Sequence, residues 1–476
     1  MRQKKHMVIS VAAALAIVFS GIAASADDTS DLVLKLLIKK GIITQQEVDE
    51  MKAEVAKEKP GSPKEAKAEA KAPVVPEWVQ NIKLSGDVRY RTRGDWGKPA
   101  AGLSKQEWRN SVRARFALEA KINDFAFVGA RIAGGGGNPR SLDDTLNNYW
   151  SKSVVYFDQY YFRLEAPKDL LDRYGSYMSS LKFWAGRFPN PFEYVSELEW
   201  DVDITPGGVA LQYVSPKIAC SYLPKMNTYG NFGMLWVDEN ATINTDPILF
   251  GYQAGFKTDK FGIFDSTINC GAAFYDYENL KNKTPNANSA GTNARVWKGD
   301  FGDSTAVSSS SPLLGTYKYE FAVLDVFLKI DNEKVFDYAF PHGFMGAFLH
   351  NSGCSDDTTN NGYMGGGYIG KAKIKEPNDW KASCEWRYLE RNAIPDFVPD
   401  ATAYGFGTYT ASTAPSGVNG LPVAGGTNMK GIKLAFEYQL FKNISLASAY
   451  YWCNPIKSFD KRDPWNELYI DIVAKF

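Results

Sequence analysis

Beyond its first two dozen residues, the 476-residue chain lacks any long apolar run. A membrane-spanning helix needs about 18 consecutive apolar residues, so we exclude a helical membrane protein. Cysteine is scarce as well. The five cysteines lie far apart and are odd in number, so we expect neither a disulfide framework nor a cysteine metal site. These cysteines are Cys220, Cys270, Cys354, Cys384 and Cys453.

The sequence also lacks a basic excess and the common catalytic motifs. Beyond residue 26 there are 51 Lys and Arg against 54 Asp and Glu, a net charge of −3, which argues against a nucleic-acid partner. Neither G-x-S-x-G nor H-E-x-x-H occurs, and His342 and His350 are the two histidines beyond residue 26. We therefore expect neither an enzyme nor a bound cofactor or metal.

The first 26 residues have the pattern of a secretory signal peptide. Arg2, Lys4 and Lys5 precede a mostly apolar run that ends in Ala-Ser-Ala at position 26. A basic end, an apolar stretch and small residues at the cleavage site are typical of such signals. We expect cleavage after Ala26; an uncleaved anchor is the alternative.

Two segments separate this signal from the main domain. Residues 27–58 are predicted to form a helical hairpin or coiled-coil arm, because Val33, Leu36 and Leu37 share one helix face. A hairpin of this size buries too little surface to fold alone, so we expect it to associate between subunits or to pack under the main domain. A partly ordered arm is the alternative. Residues 59–81 are rich in Pro, Ala, Lys and Glu and are predicted to be a periplasmic linker.

From Ile82 to the end, the apolar residues repeat with a period of two. This spacing places alternate side chains on opposite faces of a sheet. One segment, for example, alternates Ile432, Leu434 and Phe436 with polar residues. Alternation combined with many aromatic and polar residues favours a transmembrane antiparallel β-barrel of about 16 strands. A soluble β-sandwich is the alternative.

The strand count comes from the alternating segments and the turns between them. Strands are predicted near 82–92, 109–122, 125–133, 154–166, 180–187, 208–214, 218–224, 247–258, 262–278, 317–330, 343–351, 363–374, 380–391, 429–440, 444–453 and 466–476. An even number lets an antiparallel barrel close with both termini on the periplasmic side. Residues 225–246 leave room for a further hairpin.

The last strand ends on an aromatic residue. Its alternating apolar positions are Leu468, Ile470, Ile472, Ala474 and Phe476. The strand resembles the C-terminal recognition strand by which outer-membrane barrels are handed to their assembly machinery. A soluble sandwich does not predict such an ending.

Several stretches resemble the bacterial putative porin family of Gram-negative outer membranes. They are Leu84–Arg91, Gly186–Phe192, Trp200–Asp203, Tyr388–Pro395 and Gly426–Asn428. The resemblance spans the chain from about residue 82 and implies a channel without naming a solute. We therefore expect a location in outer-membrane lipid. From the apolar stripe of the helical arm we expect a homotrimer.

Arginines on the polar faces of the first strands predict one side of the pore. They are Arg89, Arg91, Arg113, Arg115, Arg131 and Arg163. Neighbouring strands lie about 4.8 Å apart, so these side chains can form a basic ladder. The alternative is that they are scattered and paired with Asp87, Glu119 and Glu165.

An acidic loop after the fifth predicted strand is the second candidate element of the pore. Residues 188–207 contain neither Lys nor Arg; their carboxylates are Glu193, Glu197, Glu199, Asp201 and Asp203. These carboxylates are expected to stay hydrated, because burying unpaired charge is costly. In many porins the third extracellular loop folds inward, and here it would face the basic ladder. Calcium binding at the surface is the alternative.

The sequence thus predicts a passive, water-filled channel for small hydrophilic solutes or ions. An anion- or phosphate-selective porin is a variant that the basic ladder would favour. A structural or tethering barrel, with its N-terminal helices on the cell wall or on a partner, is the alternative from a different class.

Overall fold

The computed structural model describes residues 81–100, 103–135, 140–146, 148–150, 152–175, 177–220, 223–239, 245–281, 317, 319–400, 427–456 and 465–476. The predicted signal peptide, the helical arm and the linker up to residue 80 lie outside this part of the chain.

About two thirds of the described residues belong to β-strands. The strands are β1 (Ile82–Ala100), β2 (Leu103–Lys121), β3 (Ala126–Gly134), β4 (Asp144–Thr145), β5 (Val155–Glu165), β6 (Ser180–Arg187), β7 (Gly207–Val214), β8 (Ile218–Cys220), β9 (Leu223–Trp236), β10 (Ile248–Thr258), β11 (Thr267–Glu278), β12 (Phe321–Val335), β13 (Tyr338–Asn351), β14 (Asn361–Gly370), β15 (Trp380–Leu389), β16 (Met429–Phe441), β17 (Ile444–Pro455) and β18 (Trp465–Lys475). One short helix, α1 (Lys168–Tyr174), and a 3-10 turn (Asn148–Trp150) complete the set in the described ranges. Neither is long and apolar enough to cross a membrane.

The strands form one closed antiparallel barrel, which confirms the predicted fold class. Each long strand pairs with the next along the chain, and β1 pairs with both β2 and β18. Asp87 of β1 stands opposite Arg115 on one side and Lys475 on the other. Closure leaves no unpaired sheet edge. The two-residue β4 and three-residue β8 pair with β2 and β9 and lie outside the ring of sixteen long strands.

One predicted strand was misplaced and another began too early. The strand expected at 218–224 is instead β9, which runs from Leu223 to Trp236 and replaces the possible extra hairpin. Its two faces mix polar, small and apolar residues, so its alternation is weak. The strand expected from residue 262 begins at Thr267, because a turn closed by Phe261 and Ser266 precedes it.

Apolar side chains cover the outer face of the barrel. Phe116, Trp386 and Ile470 are each about half exposed, although they lie in the middle of paired strands. Exposed apolar side chains on alternate positions are what a lipid-facing wall requires. The residues next to them in sequence face the interior and are polar or buried. This arrangement explains why the apolar residues repeat with a period of two.

The inner face is divided into two halves of different character. The half formed by β16–β18, β1–β3 and β5 carries charged side chains. The half formed by β9–β14 is largely apolar, with Tyr275, Val323, Phe327 and Leu349 all buried inside the barrel. An apolar inner surface is unusual for a water-filled barrel, whose interior is ordinarily polar. The reason is a loop that folds inward and packs against it.

The last strand closes the barrel beside β1. Leu468, Ile470, Ile472 and Ala474 alternate with the inward-facing Tyr469 and Asp471. The terminal Phe476 exchanges two backbone hydrogen bonds with Gly86, of 3.0 and 3.1 Å. Its ring packs 5.6 Å from the ring of Phe116. A side chain at position 86 would collide with this ring, since an added Cβ would lie 2.5 Å from it.

Candidate functional site

The six predicted arginines lie on neighbouring strands and face the interior. Arg89 and Arg91 are on β1, Arg113 and Arg115 on β2, Arg131 on β3 and Arg163 on β5. Their sequence neighbours Val88, Tyr90 and Phe116 are exposed on the outer face. Strand pairing places Arg113 directly opposite Arg89. We call these six residues the basic wall.

Carboxylates from β18 and the loop after β3 pair with the first two arginines. Arg91 donates two 2.7 Å hydrogen bonds to Asp471, and Arg89 contacts Asp143 at 2.5 Å. Burial alone would raise the pKa of Asp143, but the two guanidinium groups hold it below its ordinary value. Asp143 therefore remains ionised beside the basic wall.

Arg113 and Arg115 share two carboxylates. Asp87 lies 3.0 Å from Arg113 and 2.7 Å from Arg115. On the other side, Oδ1 of Asp203 lies 3.2 Å from Arg113 and 3.3 Å from Arg115. Asp203 belongs to the loop between β6 and β7, so a predicted acidic residue and two predicted basic residues meet here.

The last two arginines are paired within the wall itself. Arg131 forms an ion pair with Asp158 of β5. Arg163 contacts Glu119 at 2.6 Å and Glu165 at 2.9 Å. The inward-facing ladder and the pairing of its arginines with Asp87, Glu119 and Glu165 therefore occur together. The wall is rich in arginine but carries little net charge.

The loop of residues 188–206, called the inward loop below, is held in shape by short side-chain turns. Oδ1 of Asn190 accepts a 3.1 Å hydrogen bond from the backbone N–H of Phe192, and Oδ1 of Asp201 accepts one of 2.8 Å from Asp203. Asn and Asp side chains commonly stabilise turns in this way. At the base, Gly186 has φ 121° and lies against the backbone of Tyr160, where another residue would be strained.

Aromatic side chains anchor the inward loop on the apolar half of the barrel. Phe192 packs 5.1 Å from the ring of Tyr275, and Trp200 packs 5.5 Å from the same ring. The Phe192 ring also fills the space above Gly251, where a Cβ would lie 2.2 Å away. Burial of aromatic side chains supplies most of the stability of such contacts. The loop thus lies inside the barrel rather than over its mouth.

Three acidic residues of the inward loop reach cations on different strands. Glu193 lies 2.7 Å from Lys257 of β10, and Glu197 lies 2.7 Å from Lys433 of β16. Asp203 reaches the basic wall, as described above. Because β10, β16 and β2 are far apart around the ring, the loop spans the interior.

The other two acidic residues are not hydrated, contrary to the expectation. Glu199 is fully buried and Asp201 nearly so. Burial raises the pKa of Glu199 to about 7, and burial together with Asp400 raises the pKa of Asp201. The expectation failed because it did not foresee that the loop would be enclosed by the wall and by a second segment.

That second segment, residues 390–400, follows β15. The backbone N–H of Asp201 donates to the carbonyl of Val398 at 2.9 Å, and that of Asp400 donates to the carbonyl of Glu197 at 2.8 Å. From the loop after β3, Arg140 donates a 2.8 Å hydrogen bond to the Asp396 carbonyl. Three loops therefore interlock inside the barrel.

The sequence analysis did not identify the charged residues of the wall that form ion pairs with these loops. Arg387 is buried and contacts Glu385 at 2.7 Å and Asp400 at 3.1 Å. The strand pattern gave the inward direction of Lys433, but nothing in it indicated that Glu197 would be its partner. Alternation shows which face a side chain is on, whereas partners depend on the path of the loops.

The described ranges contain no group of three His, Cys, Asp or Glu residues placed to hold a metal ion. Three of the five carboxylates of the inward loop, Glu193, Glu197 and Asp203, are instead directed to Lys257, Lys433 and the basic wall. This geometry gives the calcium alternative no support.

The family model described as "Putative porin" matches residues 96–303 and 312–476, more than half of the chain. The chain belongs to this family. Membership of the putative porin family, together with the closed barrel, identifies an outer-membrane channel protein, and such proteins are typically not enzymes. No curated protein matches the sequence.

Solved porin structures are similar to this family member at low identity. OprB of Pseudomonas putida is 9% identical over 84% of this chain and 95% of its own, with a TM-score of 0.49. OmpF of Salmonella typhi is 11% identical over 83% and 97%, with a TM-score of 0.43. DcaP of Acinetobacter baumannii, described as an outer membrane channel, is 10% identical over 83% and 97%, with a TM-score of 0.39.

Proposed function

We propose that the protein is a passive porin, in which small hydrophilic solutes and ions cross the outer membrane through water between the inward loop and the basic wall. The observation that carries this proposal is the solvent exposure of charged groups inside the barrel. The side chains of Lys257 and Glu193 are 47% and 40% exposed although both face the interior. A dry plug would bury them, which is costly for charged groups.

The pairing of charges inside the barrel favours weak ion selectivity. Each arginine of the basic wall contacts at least one carboxylate. Opposed rows of charge produce a field across the passage without a large net charge, and such a field orients dipolar solutes. We therefore propose a general diffusion porin in preference to the phosphate-selective variant.

The orientation and partners follow from the same topology. Because the barrel has sixteen long strands, β1 begins and β18 ends at the same rim. We propose that this rim faces the periplasm, that the mature N-terminal segment lies there, and that the last strand is read by the barrel assembly machinery. The channel is proposed to be a homotrimer in outer-membrane lipid.

Planar-bilayer recording separates the porin from the tethering barrel. A porin gives discrete, ohmic conductance steps when the purified protein is added, because its water-filled passage is always present. A tethering barrel that is plugged gives none. The same recording with a salt gradient measures the ion preference, which we expect to be small.

A further inference from the structure

Two buried carboxyl groups meet where the inward loop contacts the apolar wall. Glu199 comes from the loop and Asp325 from the inner face of β12, and both side chains are 0% exposed. The two carboxyl groups lie next to each other. Oε1 of Glu199 and both oxygens of Asp325 receive no hydrogen bond from any donor group within the described residues.

This arrangement requires a proton. Ionised carboxylates only accept hydrogen bonds, so two of them can bond to each other only if one is protonated. Enclosing two unpaired anions would also cost far more free energy than a buried contact returns. Two carboxyl groups that share a site therefore keep one proton between them.

Within the described part of the chain, no cation forms an ion pair with either carboxyl group. Glu199 faces Glu385 of β15, whose charge is matched by Arg387 and Lys433. Its remaining oxygen, Oε2, accepts hydrogen bonds of 2.9 and 2.8 Å from two backbone N–H groups of the inward loop. These donors belong to Val195 and Ser196.

The other titratable groups that face the pair are tyrosines. Tyr275 of β11 and Tyr229 of β9 face Asp325, and Tyr194 of the inward loop faces Glu199. A tyrosine hydroxyl is neutral at the pH values at which carboxyl groups titrate. The proton on the pair therefore decides the charge of this contact.

We propose that Asp325 is a positioning residue of the pore, which holds the inward loop against the wall through the proton that it shares with Glu199. This inference rests on the proposed function, since it concerns the loop that borders the passage. Asp325 would act on permeation through the loop and without contact with the solute. The stability of the contact between the inward loop and the wall then depends on pH.

The direction of this dependence follows from the raised pKa of Glu199. Burial, the largest cause, raises it to about 7 from an ordinary value of 4.5. A raised pKa in the folded state stabilises the fold below the ordinary value, and this contribution is lost as the pH rises through the folded value. The loop is therefore held firmly while the pair keeps its shared proton. This hold is lost when rising pH removes that proton, because two buried anions then repel each other.

The test is single-channel recording from about pH 5 to about pH 9, a range that spans the titration of such a pair. The proteins are the wild type, Asp325→Asn, Glu199→Gln and the control Asp331→Asn, which alters a partly exposed inward residue of β12 paired with Lys329. We expect closures and current noise to increase with rising pH in the wild type and in the control, in a step above the ordinary titration range of a carboxyl group. Asp325→Asn and Glu199→Gln should lose this step, because an amide can donate to the remaining carboxylate at every pH.

A merely structural role for Asp325 would not remove a pH step while leaving conductance at low pH unchanged. The inference is overturned if the wild type shows no step, or if both amide variants keep it. If Asp325→Asn does not give a heat-modifiable folded barrel, the recording from Glu199→Gln decides the test. That substitution lies in a loop, so the strands of the barrel are unchanged. A wild type that conducts at no pH overturns the proposed function and, with it, this inference.

Discussion

Asp203 lies 3.2 Å from Arg113, and this contact joins the inward loop to the wall opposite its aromatic anchor. Phe192 and Trp200 fix the loop to the apolar half of the barrel, and Asp203 fixes it to the charged half. The loop therefore crosses the interior between two points of attachment. Any solute that passes through the barrel has to pass beside it.

Neutralising two arginines of the basic wall should shift ion preference. In Arg113→Gln/Arg115→Gln, Asp87 and Asp203 lose their cations. The reversal potential in a salt gradient should move toward cation preference. The shift should shrink in 1 M salt, where the Debye length is about 3 Å. Lys430→Gln, a change on the exposed outer face, is the control and should not shift it.

The reverse change tests the acidic side of the same section. Glu197→Gln/Asp203→Asn removes two carboxylates that the structure directs toward Lys433 and the basic wall. We expect the reversal potential to move toward anion preference by a comparable amount. If neither this variant nor the arginine variant shifts the reversal potential at low salt, these residues do not border the passage.

Removing the aromatic anchor should loosen the inward loop and leave the barrel folded. Phe192→Ala removes the ring that packs against Tyr275. Large-to-small changes of this kind lower the stability of the folded structure by about 3–5 kcal/mol. That cost falls on the seating of the loop, so we expect noisier single-channel currents and faster proteolysis within residues 188–206. Phe183→Ala, on the exposed outer face of β6, is the matched control. Equal noise in both variants would contradict the anchoring role.

The terminal aromatic residue should matter for assembly more than for local packing. Phe476→Ser should leave export intact and lower the amount of heat-modifiable folded barrel in the outer membrane. Phe116→Ala removes the neighbouring ring and keeps the chain terminus unchanged, so it should lower the amount much less. Equal losses in the two variants would assign the effect to packing.

The predicted helical arm, which lies outside the described residues, should contribute to association. Its apolar stripe of Val33, Leu36 and Leu37 has no evident partner within one chain. Deleting residues 27–58 should weaken a trimer observed by native mass spectrometry. An unchanged oligomer would remove the arm from the interface.

The barrel could be predicted from the sequence because strand alternation is a local property. Ile432, Leu434 and Phe436 all face outward, as their spacing indicates. Strand β9 was misplaced because Thr228 and Gly230 on one face and Asn231 and Gly233 on the other weaken its alternation. Such a strand is specified by its pairing partners.

The candidate site could be predicted only in outline. Alternation placed Arg113 on the inner face, and composition marked the acidic loop. The pairing of Glu199 with Asp325 could not be foreseen, because it depends on the path of a loop through the interior. Val323 and Leu349 look like misplaced apolar residues on a polar face until that loop covers them.

Single-channel conductance of the wild type and of a loop-shortened variant tests the central claim most directly. The ends of the inward loop are close together, since Phe188 donates a 3.1 Å backbone hydrogen bond to Pro206, so a short Gly-Ser linker can replace residues 189–205. A water-filled barrel narrowed by this loop predicts discrete ohmic steps for the wild type and larger steps for the variant. Steps of equal size, or a wild type that does not conduct, would contradict the account.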